Sequence, residues 1–328
     1  STGVTQGTAR TVAADGNSVS FNLGNLAVLD DNNIANDFIE FDVVARSLGD
    51  NAPETNALDG DNLGNVATFS ADGVADQPGT GEVTLVEPKP PLNKSVTPSP
   101  VGAGGTLTYR IEVDNPATPG ADAPAYDLVL TDLVDDPNVT FDAGSVPVAG
   151  GIGSTIASGN GGGDTNVRIE VDELAIGDTL IVEFTATVNT AIEAGVEIDN
   201  TADLTFDSLP TDDADDERDY DLTDDAQAVA AEPQVAKSVL STSGAGTTGS
   251  DLTIGETVTY EIVMTIPEGT ISDVVLTDVL PQAPGSAGTL EYVSSQVIRV
   301  SSGGNTISGA SLGAGASGMV AGNSISFD

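Results

Sequence analysis

Residues 107–113 read Leu107-Thr108-Tyr109-Arg110-Ile111-Glu112-Val113, with apolar side chains at every second position and polar ones between them. Successive side chains of an extended backbone point to opposite faces, so this run describes a strand with one buried and one wet face. The same alternation places Val167, Ile169 and Val171 on one face, as it does Leu180, Val182, Phe184 and Ala186, and Val258, Tyr260, Ile262 and Met264. Period-two runs with one polar face predict antiparallel strands half-buried in a sandwich. The 38 Gly and 17 Pro of the 328 residues punctuate them throughout, and no convincing amphipathic helix interrupts the pattern. The expected fold class is all-β.

Outward from this strand, the chain repeats itself. Lys94-Ser95-Val96, Gly104-x-Thr-Leu-Thr-Tyr109 and Val129-Leu-Thr-Asp132 recur as Lys237-Ser238-Val239, Gly255-x-Thr-Val-Thr-Tyr260 and Val275-Leu-Thr-Asp278. The rear of the unit recurs too: Val19 to Val28 aligns with Val167 to Ile176, Glu40-Phe41 with Glu183-Phe184, and Asn65-Val-Ala with Asn200-Thr-Ala. The chain therefore reads as the C-terminal half of one repeat (1–88), a complete repeat (89–232) and the N-terminal half of another (233–328). Pro-rich joints at Glu87-Pro-Lys-Pro-Pro91 and Glu232-Pro233 divide them and are expected to hold neighbours in semi-rigid register. The closing Gly322-Asn-Ser-Ile-Ser-Phe327 matches Gly16-Asn-Ser-Val-Ser-Phe21, so the chain ends in the phase in which it begins. Two readings fit: a window on a long tandem array, or a subunit whose halves complete those of neighbouring copies by strand complementation.

Composition removes many chemistries. There is no Cys, His or Trp, which excludes thiol nucleophiles, Ser-His-Asp triads and zinc sites of the usual kind. With 51 Asp plus Glu against 9 Lys plus Arg, the formal charge of −42 repels phosphate backbones and anionic lipid, so nucleic acid is not an expected partner. No apolar run approaches the roughly 18 residues that span a bilayer, and Ser1-Thr2-Gly3-Val4 is not the start of a signal peptide. No turnover enzyme is expected.

The chain has only three lysines, Lys89, Lys94 and Lys237, and the last two hold equivalent places in the repeat. Lys94 shares strand parity with Leu92 and Val96, and Lys237 with Val235 and Val239. Asp132 aligns with Leu128, Leu130 and Val134, and Asp278 with Val274, Leu276 and Leu280. Asn200 shares a face with Ile198, Ala202 and Leu204, and Asn65 with Leu63, Ala67 and Phe69. One Lys, one Asp and one Asn per repeat are thus expected to face inward. An isolated charge in an apolar core is costly, so such groups pair, change protonation state or react. Desolvation drives lysine toward the nucleophilic neutral amine and leaves an aspartic acid holding its proton. Held against a carboxamide, that pair can expel ammonia and form a Lys–Asn isopeptide bond, with proximity supplying much of the rate.

The pattern Lys-Ser-Val, Gly-x-Thr-Val-Thr-Tyr, Val-x-x-Thr-Asp and a closing Asn-Thr-Ala resembles the tandem repeat domain of bacterial and archaeal surface proteins. It also resembles the Lys-to-Asn isopeptide-forming domain of fimbrial shaft subunits and adhesins. The resemblance implies Ig-like sandwiches with the lysine on the first strand and the asparagine on the last: Lys94 and Asn200, with Asp132 as the acid. Glu183 is an alternative acid by that resemblance, although its parity with Ile181 sets it on the other face. Lys237 and Asp278 lack an Asn in their half repeat, and Asn65 lacks a Lys, so Lys237 of one chain could bond to Asn65 of the next.

The acidic run Asp212, Asp213, Asp215, Asp216, Asp219 and Asp221, with smaller clusters at Asp30-Asp31 and Asp59-Gly-Asp61, offers oxygen ligands that suit Ca²⁺, or else a solvated acidic loop. The Gly-rich stretch 149–163 lacks the Lys-Ser/Thr of a phosphate-binding loop. The expected role is a structural segment of an extracellular adhesin, stalk or filament at a cell surface, in contact with copies of itself. A calcium-dependent ligand- or glycan-binding module is the alternative.

Overall fold

The computed structural model describes residues 9–14, 16, 18–26, 38–47, 62–117, 123–211, 218–244, 247, 251–281, 290–297, 319–321 and 324–327. The chain is all-β, with no helix among the described residues. It divides into two compact units, Ser1–Ser47 and Leu48–Asp328. In the first, β1 (Ala9–Val12) and β2 (Val19–Asn22) form an antiparallel hairpin, and the Phe21 and Phe41 rings lie 4.8 Å apart.

The second unit begins with the hairpin β3 (Asn62–Ala71) and β4 (Val74–Thr84). A two-sheet sandwich follows. Its strands are β5 (Leu92–Thr97), β6 (Thr106–Asp114), β7 (Ala125–Leu133), β8 (Val139–Phe141), β9 (Val148–Ala149), β10 (Thr155–Ser158), β11 (Asn166–Leu174), β12 (Thr179–Val188), β13 (Glu197–Asp207) and β14 (Asp219–Val229). One sheet has the order β5-β6-β12-β8, with β9 also on β12, and the other β10-β11-β7-β13-β14. Beyond lie the hairpin β15 (Gln234–Thr242) with β16 (Val258–Thr265), then β17 (Leu276–Val279), β18 (Met319–Ala321) and β19 (Ser324–Phe327) in the order β17-β19-β18.

The inner faces of the sandwich are the alternating positions of its strands. Leu107, Tyr109, Ile111 and Val113 from β6 meet Leu180, Val182, Phe184 and Ala186 from β12, all at most 1% exposed. Opposite them stand Leu128 and Leu130, Val167 and Ile169, and Ile198, Ala202 and Leu204. Tyr109 stacks on Phe184 at 5.1 Å, and Phe141 meets Phe184 edge-on at 5.8 Å, the geometries that aromatic quadrupoles favour. Gly150, at φ +89°, lets the loop after β9 lie against β12, where an added Cβ would sit 1.9 Å from the Thr179 carbonyl oxygen.

β7 carries an irregularity that sets the site. Asp127 has a φ of +49°, and the β7–β13 register shifts between Thr205 and Asp207. This bulge reverses which residues face inward: Ala125 is buried before it, Leu128, Leu130 and Asp132 after it. Aspartate tolerates the left-handed conformation better than most side chains.

The joints are seated. Glu87, Pro88 and Pro90 are buried; the Glu87 carboxylate accepts from the Tyr220 hydroxyl and pairs with Arg218 at 3.1 Å. Past the sandwich, the turn following β16 lies beside the β12–β13 loop: Ala194 N–H donates to the Thr270 carbonyl at 2.9 Å, and Thr270 N–H to that of Ile192 at 2.8 Å.

Phe184→Ala removes the ring shared by two aromatic contacts and is expected to cost roughly 3–5 kcal/mol, read as a lowered midpoint in guanidinium unfolding. Phe69→Ala, on the exposed face of β3, is expected to leave the midpoint within error.

Candidate functional site: a buried lysine, aspartate and asparagine

Three strands bring three polar side chains into the dry interior. β5 pairs with β6 so that Lys94 stands opposite Ile111, and the alternation that buries Ile111 buries Lys94, which is 8% exposed overall. β7 past its bulge turns Asp132 inward, opposite Ala202 of β13. Asn200, two residues before Ala202 on the same face, is 4% exposed.

The Lys94 Nζ donates to Asp132 Oδ2 at 2.6 Å, and neither side chain has any exposed surface. The pair bridges the two sheets. Nζ lies 5.4 Å from the centroid of the Tyr109 ring, whose hydroxyl is buried without a hydrogen bond. Asp132 Oδ1 is likewise unpartnered. Asn200 is close enough to Asp132 to favour its ionised form, yet neither Nδ2 nor Oδ1 of Asn200 completes a hydrogen bond of normal geometry. An amide left open in a core costs desolvation free energy, so its place beside an acid that is itself paired with an amine calls for a chemical reason.

Electrostatics in the site point one way. Desolvation lowers the Lys94 pKa, against the attraction of Asp132, Asp224 and Asp203. Desolvation raises that of Asp132, against the opposing pull of Lys94 and Asn200. Burial thus favours amine and carboxylic acid over ammonium and carboxylate. Desolvation also raises the Tyr109 phenol, with the Asp132 charge adding to it, so Tyr109 stays neutral and serves as an apolar wall.

Asp224 of β14 was not among the expected site residues. Its Oδ2 accepts the backbone N–H of Lys94 at 2.6 Å, tying β5 at the edge of one sheet to β14 at the edge of the other. Its signal was present in the alternation Tyr220, Leu222, Asp224, Ala226 and Ala228, hidden by the surrounding carboxylates. The segment expected as an acidic loop is therefore strand from Asp219 onward, and Asp219 and Asp221 lie exposed on its outer face. Asp212, Asp213, Asp215, Asp216, Asp30, Asp31, Asp59 and Asp61 lie outside the described residues. Among the described residues, no group of three or more acidic side chains is placed to hold a metal.

The remaining expected residues fall apart in space. Lys237 and Asp278 pair at 2.6 Å but stay partly exposed, with side-chain exposures of 36% and 14%. Asn65 is exposed, because the β3–β4 hairpin has no facing sheet among the described residues. Glu183 points away from the core and pairs with Arg110 at 2.9 Å.

No protein-family model matches the chain, and no curated protein does. Among solved structures it is similar to the C-terminal fragment of the major pilin GBS80 of Streptococcus agalactiae, at 15% identity over 46% of this chain and 58% of that one, with a TM-score of 0.32. It is similar to the full-length major pilin SpaD of Corynebacterium diphtheriae, at 19% identity over 45% of this chain and 36% of that one, TM-score 0.31. A collagen-binding domain of a Staphylococcus aureus adhesin is matched at 7% identity over 41% of this chain and 95% of that one, TM-score 0.28. The chain spans about half the length of the pilins it matches.

In an Asn200→Ala background, Asp132→Asn strands the buried amine without its acid. The unfolded chain then holds its lysine proton up to the ordinary value of 10.5 while burial holds the native amine's pKa below it, so stability is expected to rise with pH toward that value. Urea unfolding at a series of pH values reads the slope, which should be steeper than with Asp132 intact.

Proposed function

We propose that the complete repeat is a self-stapling structural module, and that the chain is a segment of an extracellular filament, stalk or adhesin giving length and tensile strength. The observation that carries this is the fully buried Lys94–Asp132 pair beside an Asn200 carboxamide with no hydrogen bond of its own.

The chemistry follows from the side chains. Asp132, as the acid, polarises the Asn200 carbonyl, and the neutral Lys94 Nζ attacks Cγ. Asp132 then carries a proton from Nζ to Nδ2, the Cγ–Nδ2 bond breaks, and ammonia leaves. The products are a Lys94–Asn200 amide and a regenerated carboxylic acid, with no oxidant or cofactor consumed. Exclusion of water and fixed geometry supply the rate. The step turns over once, so the module is not an enzyme in the usual sense.

The position of the bond fits a tensile role. Tension entering on β5 and leaving through β13 would pass from Lys94 to Asn200 directly, leaving the intervening fold outside the path. The docked Glu87 joint and the paired Ile192–Thr270 backbones extend rigid contact beyond the module at both ends. The net charge of −42 keeps such a rod soluble.

Intact mass under denaturing conditions tests the bond. The wild type is expected to be lighter than its sequence by one ammonia, with the deficit absent in Lys94→Ala, Asn200→Ala and Asp132→Ala. A full-weight wild type would leave a buried ion pair and remove the staple.

A further inference from the structure

Among the described residues, five buried side-chain atoms lack a hydrogen bond, and four of them share one site: the Tyr109 hydroxyl, Asp132 Oδ1 and both polar atoms of the Asn200 carboxamide. The fifth, Asn115 Oδ1, belongs to a side chain already anchored on the Ala123 and Leu174 carbonyls. The chemistry above uses Asp132 and Asn200 and leaves the Tyr109 hydroxyl idle. That hydroxyl is costly where it stands. Tyr109, Phe184 and Phe206 are the largest side chains with under 2% of their surface exposed by volume rank, and the two phenylalanines fill their space with no polar atom. Phenylalanine at position 109 would keep the stack on Phe184 and leave nothing unsatisfied. The chain nevertheless sets a tyrosine beside each of its two Lys–Asp pairs: Lys94 Nζ lies 5.4 Å from the Tyr109 ring centroid, and Lys237 Nζ 4.3 Å from that of Tyr260.

Register brings the phenol to the carboxamide's side of the core. Val96 stands opposite Tyr109 and Lys94 opposite Ile111, so the tyrosine and the lysine are diagonal neighbours on the inner face of one sheet. Asp132 and Asn200 project inward from the other sheet. The phenol feels the charge of Asp132, then those of Asp136 and Asp199. Asp199 immediately precedes Asn200 on β13, and its backbone N–H donates to Asp136 Oδ2 at 3.4 Å. The hydroxyl end of the ring is thus turned toward the acid and toward the strand that carries the carboxamide. Neither the phenol O–H nor the Asn200 amide is tied to another group, so each is free to turn about its own terminal bond.

We propose that the Tyr109 hydroxyl is the hydrogen-bond donor that holds the negative charge developing on Asn200 Oδ1 as Lys94 Nζ attacks Cγ. This rests on the bond proposed for Lys94 and Asn200. When the Nζ lone pair bonds to Cγ, the carbonyl π pair moves onto Oδ1. A donor already waiting in a water-free core stabilises that charge without solvent having to reorganise. Burial, and after it the charge of Asp132, raises the Tyr109 pKa above the ordinary phenol value, so the hydroxyl shares its hydrogen and keeps it. Asp132 is thereby released for proton transfer: it passes its proton to Nδ2 and recovers one from Nζ. The pair on Oδ1 re-forms the carbonyl as the Cγ–Nδ2 bond breaks and ammonia leaves. Tyr109 ends the step unchanged, and the tyrosine is retained because its hydroxyl is needed once, at the moment of reaction.

The test is the rate of ammonia loss in Tyr109→Phe, which removes one oxygen and keeps the ring. The full chain is synthesised in a short cell-free pulse, unfolded in denaturant at intervals and weighed, and the fraction lighter by one ammonia gives a first-order rate. Tyr109→Phe is expected to convert about 10²–10³-fold more slowly than the wild type, the loss that follows removal of one such donor. Stability is read separately in the Asn200→Ala background, where no bond forms. Adding Tyr109→Phe there should not lower the urea midpoint, because the hydroxyl has no partner to lose. Equal rates in the wild type and Tyr109→Phe would overturn this inference and spare the staple. A slower rate accompanied by a lowered midpoint would overturn it too, by showing the hydroxyl to be a structural group. A wild type that stays at full weight would remove the staple and this inference with it.

Discussion

The structure turns on one constraint: an amine and a carboxyl are held 2.6 Å apart where neither touches water. Burying two charges costs more than their attraction readily returns, so this arrangement is poor value as a stabilising ion pair. It makes sense when the pair relaxes toward amine and acid, the direction in which burial moves both groups. The same dryness that makes Lys94 a costly ammonium favours its neutral amine, and the Asn200 amide beside Asp132 completes no hydrogen bond of normal geometry.

Everything nearby serves to aim those three groups. The β5–β6 register faces Lys94 inward, the Asp127 bulge turns Asp132 to the same interior, and the β7–β13 register brings Asn200 to within two residues of the position opposite Asp132. Asp224 fastens the Lys94 backbone across the open side of the sandwich, where the edges of the two sheets meet. The aromatic stack of Tyr109 on Phe184 supplies the floor. Asp273 repeats the left-handed φ of Asp127, five residues ahead of Asp278 as Asp127 is of Asp132, so the backbone irregularity is copied along the chain together with the Lys–Asp pair.

Parity along the strands carried much of this into the sequence. Lys94, Asp132 and Asn200 could be read as inward because each sits within a run of apolar positions whose alternation continues past it. Parity names a face without saying whether a second sheet covers it, which is why Lys237 and Asn65 share the pattern of their counterparts and yet remain exposed. Two features escaped for other reasons. The bulge breaks alternation locally, and its only trace is an aspartate recurring five residues ahead of the one that pairs with lysine. β14 was obscured by composition: its carboxylates read as a repelling loop, although every second residue from Tyr220 to Ala228 follows a strand's inner face, Asp224 included.

The central claim is that tension crosses the module through a covalent Lys94–Asn200 link. Single-molecule pulling on the chain, held at points before Lys89 and after Glu232, tests it directly. Stretching the residues between Lys94 and Asn200 would release roughly 350–380 Å of contour length at about 3.3–3.6 Å per residue. The account predicts that this length never appears in the wild type, that only the ends outside the link peel, before Lys94 on β5 and after Asn200 on β13 and β14, and that the full release returns in Asn200→Ala. A wild-type trace showing the full release would contradict it.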